Sequence, residues 1–576
     1  MKGKFPWLLL VIVCTIVCSE NILAQSRYSI VISEIMADPT PQIGLPNAEW
    51  IELRNASSTA INLQGFRLQK PGSTASGAMP SLLLAPDSCV VVCTASQVAG
   101  LSVFGRTISV TSFPSLSNDA DELMLLAPNG SVMHAVSYSS SWYNNAVKAD
   151  GGWTLEMIDV KNACTGTGNW TASTDAKGGT PGAINSANKV NADSRAPRLL
   201  YAAASNVLLA QLVFDETMDS SRLATSSNYQ ISNGINVITA TPVAPFFNRV
   251  NLLLSAPLMG NTIYTVDANN VTDCSGNAVD NNFSRVKLGS FSTADSNDVV
   301  VNEILFNPNP QGVDYIELYN RSNKIINVQQ LVLANRSSNG SVGTFGSILT
   351  DNFPLFPQEY LVVSSDPATV AQQYTVMKPG LSVKIAGSMP SYPDDKGTVL
   401  LLNNAGRILD EVTYDDNWHF ALINNKEGIA LERIDANATS NKKDNWTSAA
   451  KTVGYGTPTA ANSQQKTAVA NTASISIQPS IFSPDNDGIE DFALIQYQFA
   501  QPGYVANITI MDAAGRPVKV LQRNATCGIS GNFRWDGLND KLQKVPVGTY
   551  IIFTEIFNLQ GQRQVFKNTV TIAKKF

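Results

Sequence analysis

The chain has 576 residues, of which 44% are apolar and 15% charged, and its formal net charge is −6. That balance excludes a surface built to neutralise phosphates, so no nucleic-acid partner is expected. The apolar share is ample for packed cores, and the length predicts about four domains.

Residues 1–24 read as a secretory signal peptide. Lys2 and Lys4 precede the apolar run "WLLLVIVCTIVC" (7–18), and Ala24 supplies a small residue for cleavage before Gln25. The run is short for a membrane span, and no later stretch reaches transmembrane length. Export is therefore expected.

From residue 28 the chain alternates short strand-like runs with turn formers. "YSIVISEIMA", "EWIELRN", "INLQGFRLQ", "DSCVVVCTA", "ELMLLAP", "SVMHAVSY" and "WTLEMID" are rich in β-branched and aromatic residues. "DPTP", "PGSTASG", "APDS", "PNGS" and "KADGG" separate them. Seven such runs in one unit, without helical periodicity, predict an antiparallel sandwich.

The same text returns later in the same order. "EWIELRNAS" is answered by "DYIELYNRS", "LEMID" by "LERID", "NWT" by "NWT", and "GTPGAINS" by "GTPTAANS". Glu34 thus corresponds to Glu303, and Glu52 to Glu317. The pattern is a duplicated domain, placed at 26–190 and 298–465. Between the copies, the Ser/Asn/Ala stretch before Pro197 marks a linker, and 195–294 forms a unit of another kind. A second polar linker leads to a last unit at 472–576. The expected fold class is all-β, as tandem immunoglobulin-like β-sandwiches.

No GxSxG, Walker loop, HExxH or CxxC motif occurs. The two histidines, His134 and His419, have no nucleophile motif beside them, and His134 falls where the other copy has Asp410. Glu34 with Glu52, and Glu303 with Glu317, recur in the duplicate and are the most tempting carboxylate pair for acid/base work. Their place inside strands suits a Glu that anchors backbone amides of a loop better than acid/base work. Trp170 and Trp446 read as core plugs. Beyond the leader, Cys89, Cys93, Cys164, Cys274 and Cys527 match no zinc or disulfide framework. No catalytic residue and no certain cofactor is expected. One metal site is conceivable: "SPDNDGIED" (483–491) gathers Asp485, Asp487, Glu490 and Asp491 around Gly488, hard oxygen ligands of the kind calcium takes. The competing reading is that these aspartates cap amides of a tight turn.

"SEIMADP", "EWIELRN", "INLQGFRL", "GNWTAS" and "GGTPGAINS" resemble the lamin-tail domain, an immunoglobulin-like sandwich of nuclear lamins and secreted bacterial proteins. The middle unit, with "LVFDETMD" and "YTVDANNVTDCSGNAV", resembles bacterial Ig-like domains of S-layer and other surface proteins. The last, with "FSPDNDGIEDFALIQY" and "VPVGTYIIFTE", is similar to the Ig-like domain of flagellar hook-capping proteins and to C-terminal sorting domains of type IX secretion cargo. These likenesses imply a non-catalytic secreted or surface protein of a Gram-negative cell, with an adhesion, scaffold or spacer role. Its implied partners are a surface protein or polysaccharide, and the type IX secretion machinery. The alternative they leave is an accessory binding subunit of a secreted nuclease or phosphoesterase system.

Overall fold

The computed structural model describes residues 26–466 and 472–574; the signal peptide expected over 1–24 lies outside them. The fold is all-β, a series of two-layered sandwiches. Among the described residues, no helix is long and apolar enough to cross a membrane.

In the first unit a six-stranded sheet has Ile30–Met36 and Trp50–Asn55 at its centre. Leu155–Met157 and Trp170–Ala172 flank one side, Cys89–Cys93 and Thr107–Ser109 the other. Arg67–Gln69, Ala120–Leu126 and Val132–Ser139 form the facing sheet. Ile30, Ile32, Leu53, Leu123 and Val136 meet between the layers. Every residue of Ile30–Met36 is buried. Alternation therefore fails in this strand: one face meets the opposite sheet and the other is covered by a returning loop.

The second copy repeats the plan. Val299–Leu305 and Tyr315–Asn320 are central, and the facing sheet gains an outer strand, Val342–Ser347. The register carries the likeness down to single residues. A bulge between Ile32 and Glu34 recurs between Val301 and Glu303, where one extra residue interrupts the ladder.

The middle unit packs a four-stranded sheet, with Leu209–Phe214 inside it, on a three-stranded one around Tyr264–Ala268. The last unit packs three strands around Ala493–Gln498 on five that include the long hairpin Gly548–Asn558 and Arg563–Ile572.

Each unit is docked on the next. A disulfide joins Cys164 of the first unit to Cys274 of the middle one, a pairing that the cysteine spacing did not announce. Spacing rules read pairs inside one small domain, whereas this bond runs between two. Cys89, Cys93 and Cys527 are unpaired. At the next joint Tyr201 packs on Phe353 with ring centroids 4.8 Å apart, and Ser292 donates its N–H to Ile325 O at 2.9 Å. At the last, Ile529 N–H donates to Ser463 O at 2.8 Å, and Gln464 Nε2 donates to Cys527 O at 3.0 Å.

Candidate functional site

The central sheet of each copy sets three glutamates side by side. Glu34 lies opposite Glu52 on one neighbouring strand and Glu156 on the other; Glu303 lies likewise between Glu317 and Glu432. All six are fully buried. Like charges directly opposite one another in a sheet are unfavourable, so such a row needs a compensating role.

That role is to hold the loop returning across the sheet. Thr180 N–H donates to Glu34 Oε1, Gly182 N–H to Glu52 Oε2 and Ala187 N–H to Glu156 Oε2, each at 2.7 Å. In the second copy Thr457 N–H donates to Glu303, Thr459 N–H to Glu317 at 2.6 Å and Gln464 N–H to Glu432 at 2.9 Å. Hydroxyls complete the set, including Thr154 on Glu34, Ser33 on Glu52 and Tyr315 on Glu303. A half-buried loop without ladder partners needs acceptors for its inward amides, and the carboxylates supply them. The loop also runs close to its neighbours. A Cβ on Gly182 would come within 2.4 Å of Gly105 Cα, and its φ of +78° favours glycine; Thr459 adopts φ 66° at the same place. Sequence reasoning singled out Glu34, Glu52, Glu303 and Glu317 but missed Glu156 and Glu432. Their signal was the shared "LE" of "LEMID" and "LERID".

Burial raises these acids. Glu34 and Glu317 are pushed well above the usual carboxylate range by burial first and by glutamate neighbours second. Glu52 reaches about 7 and Glu303 about 8, with burial again the leading cause. An acid whose pKa is higher folded than unfolded stabilises the fold below its unfolded pKa, and that contribution is lost as pH rises through the folded value. His134 and His419 act oppositely: burial lowers both to about 4, so their contribution is lost as pH falls below the ordinary histidine range. Above pH ~6.5 the carboxyl effect stands alone. Thermal unfolding should therefore show a lower Tm at pH 8 than at pH 6.5, and Glu303→Gln should reduce the difference. A Tm that is flat or rising over this interval would contradict the assignment.

His134 is wholly buried, and its role explains the Asp in the other copy. The bulge deprives one amide of its ladder partner. Ile32 N–H donates to His134 Nδ1 at 3.0 Å, and Val301 N–H donates to Asp410 Oδ2 at 2.8 Å. With Nδ1 accepting, the His134 proton sits on Nε2, which donates to Ala163 O at 3.0 Å. Asp410 carries charge that His134 does not, and Arg433 lies 3.4 Å from it where the first copy has Met157. Both positions are buried backbone acceptors.

Trp170 and Trp446 are buried, as expected of core plugs. Each leans on a half-buried partner: Trp142 with Trp170 at 6.3 Å and 33°, Trp418 with Trp446 at 6.4 Å and 35°. Both pairs line cavities at a domain joint, of about 280 Å³ and about 320 Å³ respectively. His419, which the sequence placed in a polar loop, is only 5% exposed and lines the second cavity.

Among the described residues, two acidic trios bring carboxylate oxygens within 4.8 Å of one another. Asp485, Asp487 and Asp491 form the first; Glu490, also named as a calcium ligand from the sequence, stands outside it. Asp491 accepts the N–H groups of Asn486 and Gly488, and Asp487 accepts that of Ile489, which is amide capping within a turn. Asp193, Glu216 and Asp273 form the second, beside the disulfide. Burial, with Asp193 and Asp215 adding, pushes Glu216 up to about 7. No local motif announced this trio, because its members come from three separate segments.

The model of the Lamin Tail Domain matches residues 24–140 and 292–416, and that of the Bacterial Ig-like domain matches 201–293. No curated protein matches the chain. Among solved structures, similarity is found to the N-terminal part of the bacterial S-layer protein SbsC, at 11% identity and a TM-score of 0.16, over 38% of this chain and 44% of that one. A DUF4876 family protein from Bacteroides thetaiotaomicron is 10% identical at a TM-score of 0.18, over 36% and 84%. Latent PorU from Porphyromonas gingivalis is 9% identical at 0.15, over 71% and 35%. This chain thus spans less than half of the S-layer fragment, and at such scores the structural likenesses carry no functional argument. The family matches are of another order, and they agree with the duplicated register: the chain carries two lamin-tail domains flanking one bacterial Ig-like domain.

Proposed function

We propose that this is a non-catalytic modular protein of the outer surface of a Gram-negative cell, with sandwiches at 26–190, 195–294, 298–465 and 472–576 serving as adhesion, scaffold or spacer modules. The observation that carries the reading is the fate of the recurring carboxylates. The groups most suited to acid/base chemistry are sealed from solvent and engaged by loop amides, in both copies. Packed joints support a spacer role, since ordinary interdomain linkers leave domains free to swing. The leader and the likeness of the last unit to type IX cargo domains support export to the surface. On this reading the partner is a surface protein or polysaccharide, and the loop 483–491 is a candidate calcium site whose competing reading is amide capping within the turn. The absence of binding heat on titrating the chain with calcium would withdraw that last point.

The experiment is truncation. Removing 472–576 in the native host should leave the other sandwiches folded but abolish surface display, read by protease accessibility on intact cells. Unchanged display would remove the sorting role, and full-length protein retained in the cytoplasm would overturn the surface assignment.

A further inference from the structure

We propose that the cavity between the second lamin-tail domain and the last sandwich binds a pyranose ring, stacked on Trp418. Four observations lead there. The cavity, of about 320 Å³, lies at a domain joint, a common place for ligand sites. One wall is aromatic, made by Trp418, Phe420 and Trp446; the rim is polar, with Lys443 and Asp444 from one domain and Gln560 from the other. A sugar ring has a matching division, with an apolar C–H face and a girdle of hydroxyls that both donate and accept. A phosphate ligand would find Lys443 partly cancelled by the adjacent Asp444, and an acyl chain would leave the polar rim unused.

The third observation is a buried polar atom without a partner. Ser448 Oγ accepts Phe420 N–H at 3.0 Å and lies 2.8 Å from His419 Nδ1. Burial keeps the imidazole neutral, so the ring holds one proton, on Nδ1 facing Ser448 Oγ or on Nε2. Nε2 has no hydrogen-bond partner, although His419 lines the cavity. Buried polar atoms are rarely left so, and a ligand hydroxyl, which both donates and accepts, would pair with this one in either tautomer. The fourth is duplication. Trp142 and Trp170 repeat the ring geometry and line their own cavity at the following joint, where Glu216 Oε1 is likewise buried and unpartnered. A position written twice beside two different neighbours belongs to the lamin-tail domain itself.

The inference rests on the cavity and not on the surface location proposed above, so failure of one leaves the other standing. The test is a titration of the full-length chain with the methyl pyranosides of glucose, galactose, mannose and N-acetylglucosamine, followed by tryptophan fluorescence and calorimetry. At least one should give a saturable response. Asp444→Ala and Gln560→Ala, both at exposed positions, should weaken it about tenfold each without changing the Tm, as expected for loss of a ligand hydrogen bond. Trp418→Phe should weaken it further. Three results would each overturn the proposal: no saturable response to any of the four, a response untouched by both rim variants, or saturable binding of inorganic phosphate that these sugars fail to displace.

Discussion

Loss of the Cys164–Cys274 bond should split the unfolding of this chain into separate transitions and lower that of the middle domain most. The bond closes a separation of 110 residues, which takes in the linker and most of the bacterial Ig-like domain. Closing a loop of this length restricts the unfolded chain by roughly 4–5 kcal/mol in the chain-entropy description. The contacts that would remain at the joint are modest by comparison. Arg27 lies between the rings of Tyr28 and Phe247, at 4.6 and 4.2 Å, and donates to Pro245 O at 3.2 Å. Asn277 Nδ2 reaches Asp193 O at 3.2 Å. A Cys164→Ser/Cys274→Ser variant, which leaves no stray thiol at the joint, is the cleaner form of the test. Calorimetric scans should show the middle domain melting well below its position in the oxidised protein, and dithiothreitol should reproduce the shift in the natural chain. An unchanged middle transition in both would mean that docking alone sets the stability of this pair.

Asp410→Ala should destabilise the second lamin-tail domain by about 3–5 kcal/mol, the usual cost of leaving one member of a buried ion pair alone. Two losses combine. Val301 N–H loses its acceptor at the bulge, and the Arg433 guanidinium, 1% exposed, loses its counter-charge. Arg433 keeps Val301 O, Ala438 O and Ser440 Oγ as acceptors, but none of them carries charge. Arg433→Met alone should cost less, because burial already raises the Asp410 carboxyl and it can take a proton. The double replacement Asp410→His/Arg433→Met copies the arrangement of His134 and Met157 and should recover most of the stability lost in Asp410→Ala. Chemical denaturation of the three variants decides it. A loss under about 1 kcal/mol for Asp410→Ala would show that the pair is not what closes the bulge.

The particular residues show where reading a sequence succeeds. "EWIELRN" and "DYIELYN" were legible as one strand written twice, and the carboxylates within them as anchors for backbone amides. What they anchor was not legible: the loop arrives from well over a hundred positions away in both copies. His134 against Asp410 looked like a mismatch that counted against a shared role. The bulge reconciles them, since an imidazole nitrogen and a carboxylate oxygen can accept the same kind of N–H. His419 is the loop residue its polar neighbours in the chain suggested, but it is buried, with Phe306 5.7 Å away and Trp446 lining the same cavity.

The sequence by itself determined the strand-rich class, the duplication and the order of the units, because these depend on local alternation, turn formers and repeated phrases. Only the tertiary structure decided three things: that Glu156 and Glu432 complete a row of three acids, that Cys164 meets Cys274, and that the tryptophan pairs open onto domain joints. The reason is physical. A strand's two-residue period is fixed within a few neighbours, whereas bulge register, cross-strand partners and domain docking are set by contacts between segments far apart along the chain.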